Sequence, residues 1–353
     1  VTISATTQGI KPGVCLSTSR PVNPFDGQVI YMTDVDQTAV WDGTQWTVLA
    51  PIAGGRNGII NGAMNVWQRG TSSASQGYVT ADRWFMLGTS TTFSQETSDL
   101  PANFRNALKY TMSGTAQPFS MQAIETQNSI RFAGKTVVLS YYVKTSNSTN
   151  AMVRIDSSNN VDESIQGTYS VIASNSVATT TSWRRVSSTF TIPSTSRTLR
   201  ILVGSDVNLT SGQTILVTGI QLEEGAVATP FEFEDFGVTL AKCQRYYQRW
   251  QANATDQDVG IGQGFASSTT SARIYIPLRV TMRTKPSAVE FATLSANSIT
   301  AGYAVTAVSL VASVNNPEVG VVTITATNMT ANVPIFVNVF GSATGYFAFT
   351  AEL

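Results

Sequence analysis

Between Val217 and Trp250 the hydrophobic pattern of the chain changes period, from two to about four, and this change organises the rest of the sequence. Before it, Val217, Gly219 and Ile220 to Leu222 read as a last strand, Glu223-Glu224-Gly225 as a tight turn, and Pro230 as the end of any regular ladder. After it, Leu240, Cys243, Tyr247 and Trp250 recur at helical spacing on one face, while Lys242, Arg245 and Arg249 gather on another. The spacing predicts a short amphipathic helix over 236–250 that connects two β-domains. So short a helix is marginal alone, so its apolar stripe is expected to be buried at a domain or subunit interface. The basic face would then be solvated or paired with acids such as Glu232 and Glu234 of a sister chain.

On either side of this joint the signals are those of strands. Across 57–235, Lys135 to Lys144, Ala151 to Asp156, Thr168 to Ile172, Trp183 to Ile192, Thr198 to Val203 and Thr214 to Leu222 are short runs set between Ser/Thr/Asn/Gly clusters. With no helical stretch between them they predict an antiparallel sandwich. Across 251–353 the period returns to two. Ile274, Ile276, Leu278 and Val280 alternate with Arg273, Tyr275 and Arg279, and Pro277 suggests an edge or bulged strand. Tyr303 to Val314, Val319 to Thr327, Ile335 to Phe340 and Tyr346 to Glu352 complete a second, smaller β-sandwich. Residues 1–52 form a hairpin unit with turns at Arg20-Pro21, Asn23-Pro24 and Asp26-Gly27, strands at Gln28 to Met32 and Ala39 to Trp41, and a hairpin through Trp46. So small a unit buries little by itself, and a Gly-rich linker around Gly54-Gly55 separates it from the rest. The fold class is all-β.

Composition narrows the chemistry. Of the 353 residues only 12% are charged, Lys+Arg and Asp+Glu both number 22, and histidine is absent. A nucleic-acid partner would call for a basic excess. The commonest general base and transition-metal ligand is missing, so no catalytic residue, metal ligand or cofactor is assigned. Cys15 and Cys243 stand far apart and form no metal-binding pair. Asp34 and Asp36 form a bare D-x-D that reads as turn chemistry before half a calcium site. Glu223 and Glu224, with Glu232, Glu234 and Asp235 nearby, read as a turn and a solvated acidic stretch rather than a glycosidase pair, which must face one cleft whereas adjacent strand residues face opposite ways. No run is long enough to insert in a membrane, and VTISATTQGI lacks the features of a secretion signal. Trp67 and Trp84 could offer sugar-stacking faces, but large aromatics beside strand signals are more often core, with Asp82 and Arg83 paired to each other.

Three motifs carry a resemblance. Asn61-Gly62-Ala63-Met64-Asn65-Val66-Trp67-Gln68-Arg69-Gly70-Thr71, Tyr78-Val79-Thr80-Ala81-Asp82-Arg83-Trp84, and the QLEEG…TPFE segment followed by CQRYYQRW occur in one order over 57–250. Together they resemble a module of tail fibre, receptor-binding and minor structural proteins of tailed bacteriophages. The N-terminal Arg20-Pro21, Asn23-Pro24, Gly27 to Tyr31 and Trp41-Asp42-Gly43 pattern is similar to a hairpin module near the ends of phage fibre proteins. The WRRVSSTFTIP run from Trp183 resembles the jelly-roll architecture of carbohydrate-binding modules.

The resemblance implies a non-enzymatic virion protein, a tail fibre, spike or capsid decoration, assembled in the host cytoplasm as a homotrimer. Low charge and many strand edges agree with self-association. It further implies that 1–52 attaches to other virion proteins and that the C-terminal sandwich faces outward. Host-glycan contact is then expected at Arg273, Tyr275, Arg279, Tyr303, Tyr346 and Phe347, and the trimer or domain interface at Leu240, Cys243, Tyr247 and Trp250. The competing reading is a glycan-active depolymerase or a secreted carbohydrate-binding protein.

Overall fold

The structure, a computed structural model, describes residues 13–34, 37–48, 55–252, 258–339 and 344–353. It divides into two compact units, residues 1–56 with 227–230, and residues 57–226 with 231–353. Asp36 and Gly54 lie outside the described residues. Among those described, no helix is long and apolar enough to cross a membrane.

The smaller unit is a four-stranded sheet in the order Gly13–Cys15, Val29–Met32, Gln37–Trp41, Trp46–Val48. The first strand, which the sequence pattern did not reveal, pairs in parallel with the second, Gly13 opposite Ile30. Among the described residues of this unit, Ile30, Met32 and Ala39 are buried, with Cys15 and Trp46 packed against them. Trp41 and Trp46 meet edge to face at 5.6 Å. Val14, Leu16, Val22, Phe25 and Val29 stay exposed. Asp34 accepts from the Ser17 backbone N–H at 2.7 Å and from its hydroxyl, which is turn chemistry.

The larger unit holds two sandwiches. In the central one, a six-stranded sheet runs in the order Arg184–Thr191, Thr136–Thr145, Thr214–Glu224, Ala107–Met112, Thr91–Glu96, Ser72–Ser73. It faces a five-stranded sheet ordered Ser170–Ala178, Asn150–Ser158, Thr198–Ser205, Phe119–Ile124, Phe85–Leu87. Period-two alternation builds the core: Val137, Leu139, Tyr141 and Val143 point inward from one sheet, Ala151, Val153, Ile155, Ile201 and Val203 from the other. Trp84 lies fully inside this core and Trp67 packs on its margin. The expected turn at Glu223-Glu224 is instead strand, because Glu223 and Glu224 pair with Val138 and Val137; the turn follows at Gly225, whose φ of 127° suits glycine. A single-turn helix, Thr126–Ser129, running into a 3-10 turn, Ile130–Phe132, also interrupts a region read as free of helix.

The connecting helix is shorter than its periodicity suggested. It spans Phe236–Gln244, with Asp235 capping it by accepting from the Gly237 N–H at 2.8 Å. Tyr247–Gln251 is a strand, paired with Tyr346–Thr350. Aromatic residues every third or fourth position fit either state in so short a run, and the ladder to Tyr346–Thr350 decides for strand. This strand belongs to a three-stranded sheet ordered Tyr247–Gln251, Tyr346–Thr350, Ala288–Ala292. Behind it stands a seven-stranded sheet ordered Gly302–Ala304, Leu294–Asn297, Pro334–Val339, Val259–Ala266, Ser271–Pro277, Val319–Thr325, Ala307–Leu310. Trp250, Ile274, Ile276, Val322, Val337, Phe347 and Phe349 form the core between them. Ser271–Pro277 is therefore an interior strand, not an edge. Pro277 is tolerated because it is the last residue of the strand, beyond the final pair with Val259–Ala266, Gln263 opposite Tyr275.

Candidate functional site

Strand Ser271–Pro277 buries Ala272, Ile274 and Ile276 and turns Arg273 and Tyr275 outward. Its neighbour Val259–Ala266 sets Gln263 opposite Tyr275 and Phe265 opposite Arg273. The next strand, Pro334–Val339, sets Phe336 opposite Gln263 and Pro334 opposite Phe265. Three adjacent strands thus carry one outer surface with three exposed aromatic rings: Phe265 is 62%, Tyr275 47% and Phe336 45% accessible. Such a cluster is unusual on a solvated sheet face, where single exposed apolar residues are the norm. A shallow cavity of about 340 Å³ is lined by Gln263, Phe265, Tyr275, Pro334 and Phe336. Gly264 permits the close approach of these strands, since a Cβ there would lie 1.7 Å from the Arg273 carbonyl oxygen. Aromatic faces offer stacking to apolar ring faces, and the Gln263 amide supplies a donor and an acceptor side by side.

The six residues expected to contact glycan are not brought together. Arg273 and Tyr275 share the platform. Arg279 has left the strand, stacks 4.9 Å over the Trp250 ring and donates to the Arg249 carbonyl at 3.0 Å. Tyr303 is half-buried against the core, and Tyr346 lies beneath the Arg249 guanidinium at 3.8 Å. Phe347 is a correction: it is 1% accessible, wedged 4.9 Å from Phe349 and 5.9 Å from Trp250, because with Phe349 it lies on the face of its strand that packs into the C-terminal core. Phe265, Phe336 and Gln263 were missed. Val259–Ala266 carries three glycines and little apolar alternation, and its pairing with Ser271–Pro277 is what makes it a strand and brings Gln263 and Phe265 to this face.

The stripe residues lie at the junction of the two sandwiches within one chain. Leu240 is half-buried, Cys243 and Tyr247 are fully buried, and Trp250 sits in the C-terminal core. Burial pushes the Cys243 thiol well up. Around them is a closed ionic cluster. Arg69 pairs with Glu352 at 3.1 Å, lies 3.8 Å from Asp82 and stacks 3.6 Å over Tyr247. Arg83 pairs with the other Glu352 oxygen, donates to the Ala123 carbonyl at 2.8 Å and stacks 3.5 Å over Tyr246. Asp82 and Arg83 do not hold each other; as successive residues they point apart, Asp82 accepting from the Gln68 backbone N–H at 3.1 Å and from its side-chain amide. Burial raises the Asp82 carboxyl to about 6. Every member is nine-tenths or more enclosed, so the cluster fastens the sandwiches and offers no surface to a ligand. The basic face is likewise used within the chain: Lys242 pairs with Glu234, and Arg245 with Glu125 at 3.2 Å.

The outer face of the central five-stranded sheet is also closed. Met121, Met152 and Leu202 are covered by Ile165 and Leu353, while Arg154 and Arg200 hold the buried Asp156 at 2.7 and 2.6 Å, with Tyr169 against Arg200. Of the two adjacent glutamates, Glu223 is buried beside Gln221 and Glu224 is exposed beside Lys135 at 3.3 Å. Among the described residues no group of three or more Cys, Asp or Glu is placed to hold a metal.

No curated protein sequence matches the chain. Among solved structures it is similar to the CBM22-1 xylan-binding domain of Paenibacillus barcinonensis Xyn10C, at 13% identity over 45% of this chain and 94% of that one, TM-score 0.30. It is similar also to the C-terminal family 22 carbohydrate binding module of Clostridium thermocellum Xyn10B, at 14% identity, 46% and 98% coverage and TM-score 0.31. For tailspike protein 4 of bacteriophage CBA120 the values are 14% identity, 48% of this chain, 21% of that chain and TM-score 0.32. Residues 78–210, which run from Tyr78 through most strands of the central sandwich, match the family described as carbohydrate binding domain.

Proposed function

We propose that the protein is a non-enzymatic, glycan-binding structural component of a tailed-bacteriophage virion, a tail fibre, spike or capsid fibre, which meets the host surface as a homotrimer. The observation that carries the glycan-binding part is the exposed row of Phe265, Tyr275 and Phe336 around Gln263 on one open sheet face. The match of 78–210 to carbohydrate binding domains supports sugar as the ligand class. The virion part rests on the phage-like motifs at Asn61–Thr71, Tyr78–Trp84 and Cys243–Trp250. Attachment through residues 1–52 draws support from the exposed Val14, Leu16, Val22, Phe25 and Val29, apolar surface that a partner would cover. The trimer no longer draws on the helical stripe, which is spent inside the chain.

The test is titration of the full chain with host surface polysaccharide, comparing it with Tyr275→Ala and Phe336→Ala. Loss of a stacked ring is expected to cost about 1 kcal/mol, roughly a five- to tenfold weakening per site. Unchanged binding in both variants refutes the platform. Light scattering of the full chain tests the assembly, where a mass of 37.8 kDa, that of one chain, refutes the trimer. A protein that binds sugar but is missing from purified particles would favour the alternative of a carbohydrate-binding protein outside any virion.

A further inference from the structure

A second concavity lies at the edge of the central sandwich. It has a volume of about 490 Å³ and is lined by Asn65, Asn103, Arg105, Asn106, Phe233 and Phe236, with Phe104 and Glu234 behind. This size falls in the range of about 300–1,000 Å³ typical of small-molecule sites. Its walls are built firmly. The turn from Pro101 to Phe104 closes through the Phe104 N–H to the Pro101 carbonyl at 3.2 Å, with Asn103 at φ 70°, as the third position of a type II turn requires. Phe104 anchors the floor among Phe231, Phe233 and Tyr142, with ring centroids 5.1 to 5.2 Å away. Asn106 donates to Asn65 at 3.1 Å and accepts from Gln95 at 2.7 Å, so both amides are oriented.

The polar groups of the wall are unequally committed. Glu234 accepts from Thr239 and Lys242, so its charge is answered. The helix that begins at Phe236 is capped by Asp235. Arg105 is exposed and, among the described residues, has neither a hydrogen bond nor an ion pair, and the same holds for the Asn103 amide. Phe233 and Phe236 are 53% and 56% accessible at the rim. The cleft thus combines uncommitted amide and guanidinium donors with apolar ring faces, and four of its residues, 103–106, lie in the span that matches carbohydrate binding domains.

We propose that this cleft is a second sugar site, selective for a carboxylated sugar such as a uronic acid, with Arg105 selecting the carboxylate. A planar guanidinium pairs with a carboxylate through two parallel hydrogen bonds, and the single charge of a carboxylate matches the single uncommitted cation of the cleft. Asn103, Asn65 and Asn106 face the ring hydroxyls, and Phe233 or Phe236 covers the apolar ring face. The inference shares with the proposed function only the premise that the ligand is a sugar, and is independent of the platform around Tyr275.

The test titrates the full chain with a uronic-acid oligosaccharide and with the same oligosaccharide after reduction of its carboxyl groups. The acidic form is expected to bind about tenfold more tightly, the worth of one charge-assisted hydrogen-bonded contact. Arg105→Gln should abolish that preference while leaving the thermal midpoint unchanged, since the side chain is exposed; Asn103→Ala should weaken both forms, and Tyr275→Ala should leave the preference intact. Equal binding of the two forms, or a preference that survives Arg105→Gln, overturns the assignment. Absence of binding to either form, with a particle mass that falls on Phe236→Ala, makes this face a contact between copies of the chain and overturns it too. Failure of the platform would show instead as glycan binding insensitive to Tyr275→Ala.

Discussion

Removing the Glu352 side chain should be among the most damaging single changes on the protein, although it touches neither candidate sugar site. Glu352 is 8% accessible and answers two guanidinium groups, Arg69 and Arg83, which are 5% and 1% accessible. In Glu352→Ala, Arg83 loses its carboxylate and keeps the Ala123 carbonyl and the Tyr246 ring, and Arg69 keeps the Tyr247 ring and Asp82, at the longer distance of 3.8 Å. Leaving a buried charge without its partner costs about 3–5 kcal/mol, a large part of the stability of an ordinary domain. Glu224→Ala is the control. Its partner Lys135 is 53% accessible and Glu224 57%, so that pair is worth about 0–1 kcal/mol. Urea unfolding followed by tryptophan fluorescence measures both, with Trp84 in the central core and Trp250 in the C-terminal core. Hydrogen exchange locates the effect, since amides of Tyr247–Gln251 and Tyr346–Thr350 should lose protection first. Replacing Arg69, Arg83 and Glu352 together by Met should recover much of the loss, because it leaves neither guanidinium buried without the Glu352 carboxylate. A Glu352→Ala loss below about 1 kcal/mol, equal to that of Glu224→Ala, would refute the view that this cluster fastens the sandwiches.

The remaining predictions are shorter. Asp82 has its carboxyl raised from 3.8 to about 6 by burial, so the folded state binds a proton that the unfolded chain releases. Its contribution to stability is therefore full below about pH 4 and is lost as pH rises through about 6; Asp82→Asn should flatten that segment of the stability–pH curve, and an unchanged slope between pH 4 and 6 would show that Asp82 is ionised in the folded protein. Deleting residues 1–52 removes a unit whose core is Ile30, Met32 and Ala39, so the sandwiches should keep their urea midpoint while the truncated protein fails to join particles in a complemented phage. Co-sedimentation with particles at normal copy number would place attachment elsewhere.

Much of the architecture was legible because burial of one sheet face imposes period two. The runs at 136–145, 184–191, 198–205 and 214–224 appear as strands within a residue or two of their sequence signals. The joint misled for a physical reason. Tyr247, Arg249, Trp250 and their neighbours satisfy helical and extended spacing alike, and only the remote partner Tyr346–Thr350 decides between them. Pairings that sequence spacing does not encode were equally hidden: Arg83 with Glu352 and Gln68 with Tyr247 lie more than 170 positions apart. Of the candidate surface, Arg273 and Tyr275 were readable from alternation in one strand. Phe265 and Phe336 depended on knowing which strands flank it.

The segment 346–353 explains why the open surfaces lie where they do. Tyr346–Thr350 is the middle strand of the three-stranded sheet and carries Phe347 and Phe349 into the C-terminal core. Directly after it, Ala351 donates its N–H to the Tyr246 carbonyl at 2.7 Å, Glu352 enters the Arg69–Arg83 cluster, and Leu353 covers Met121, Met152 and Leu202 on the central sheet. Arg283 braces the same stretch, donating to the Ala351 and Glu352 carbonyls at 3.0 and 3.2 Å and pairing with Asp162 at 3.3 Å. Opening the face of the central sheet to a ligand would therefore expose Leu353, at about 2 kcal/mol, and break the Glu352 pairs, at a further few kcal/mol. A weakly held sugar cannot offset that cost. On the proposed reading, recognition by the central sandwich would fall to its edge loops, where Asn103 to Asn106 stand, and the broad aromatic contact to the outer face of the seven-stranded sheet, where Phe265, Tyr275 and Phe336 are exposed.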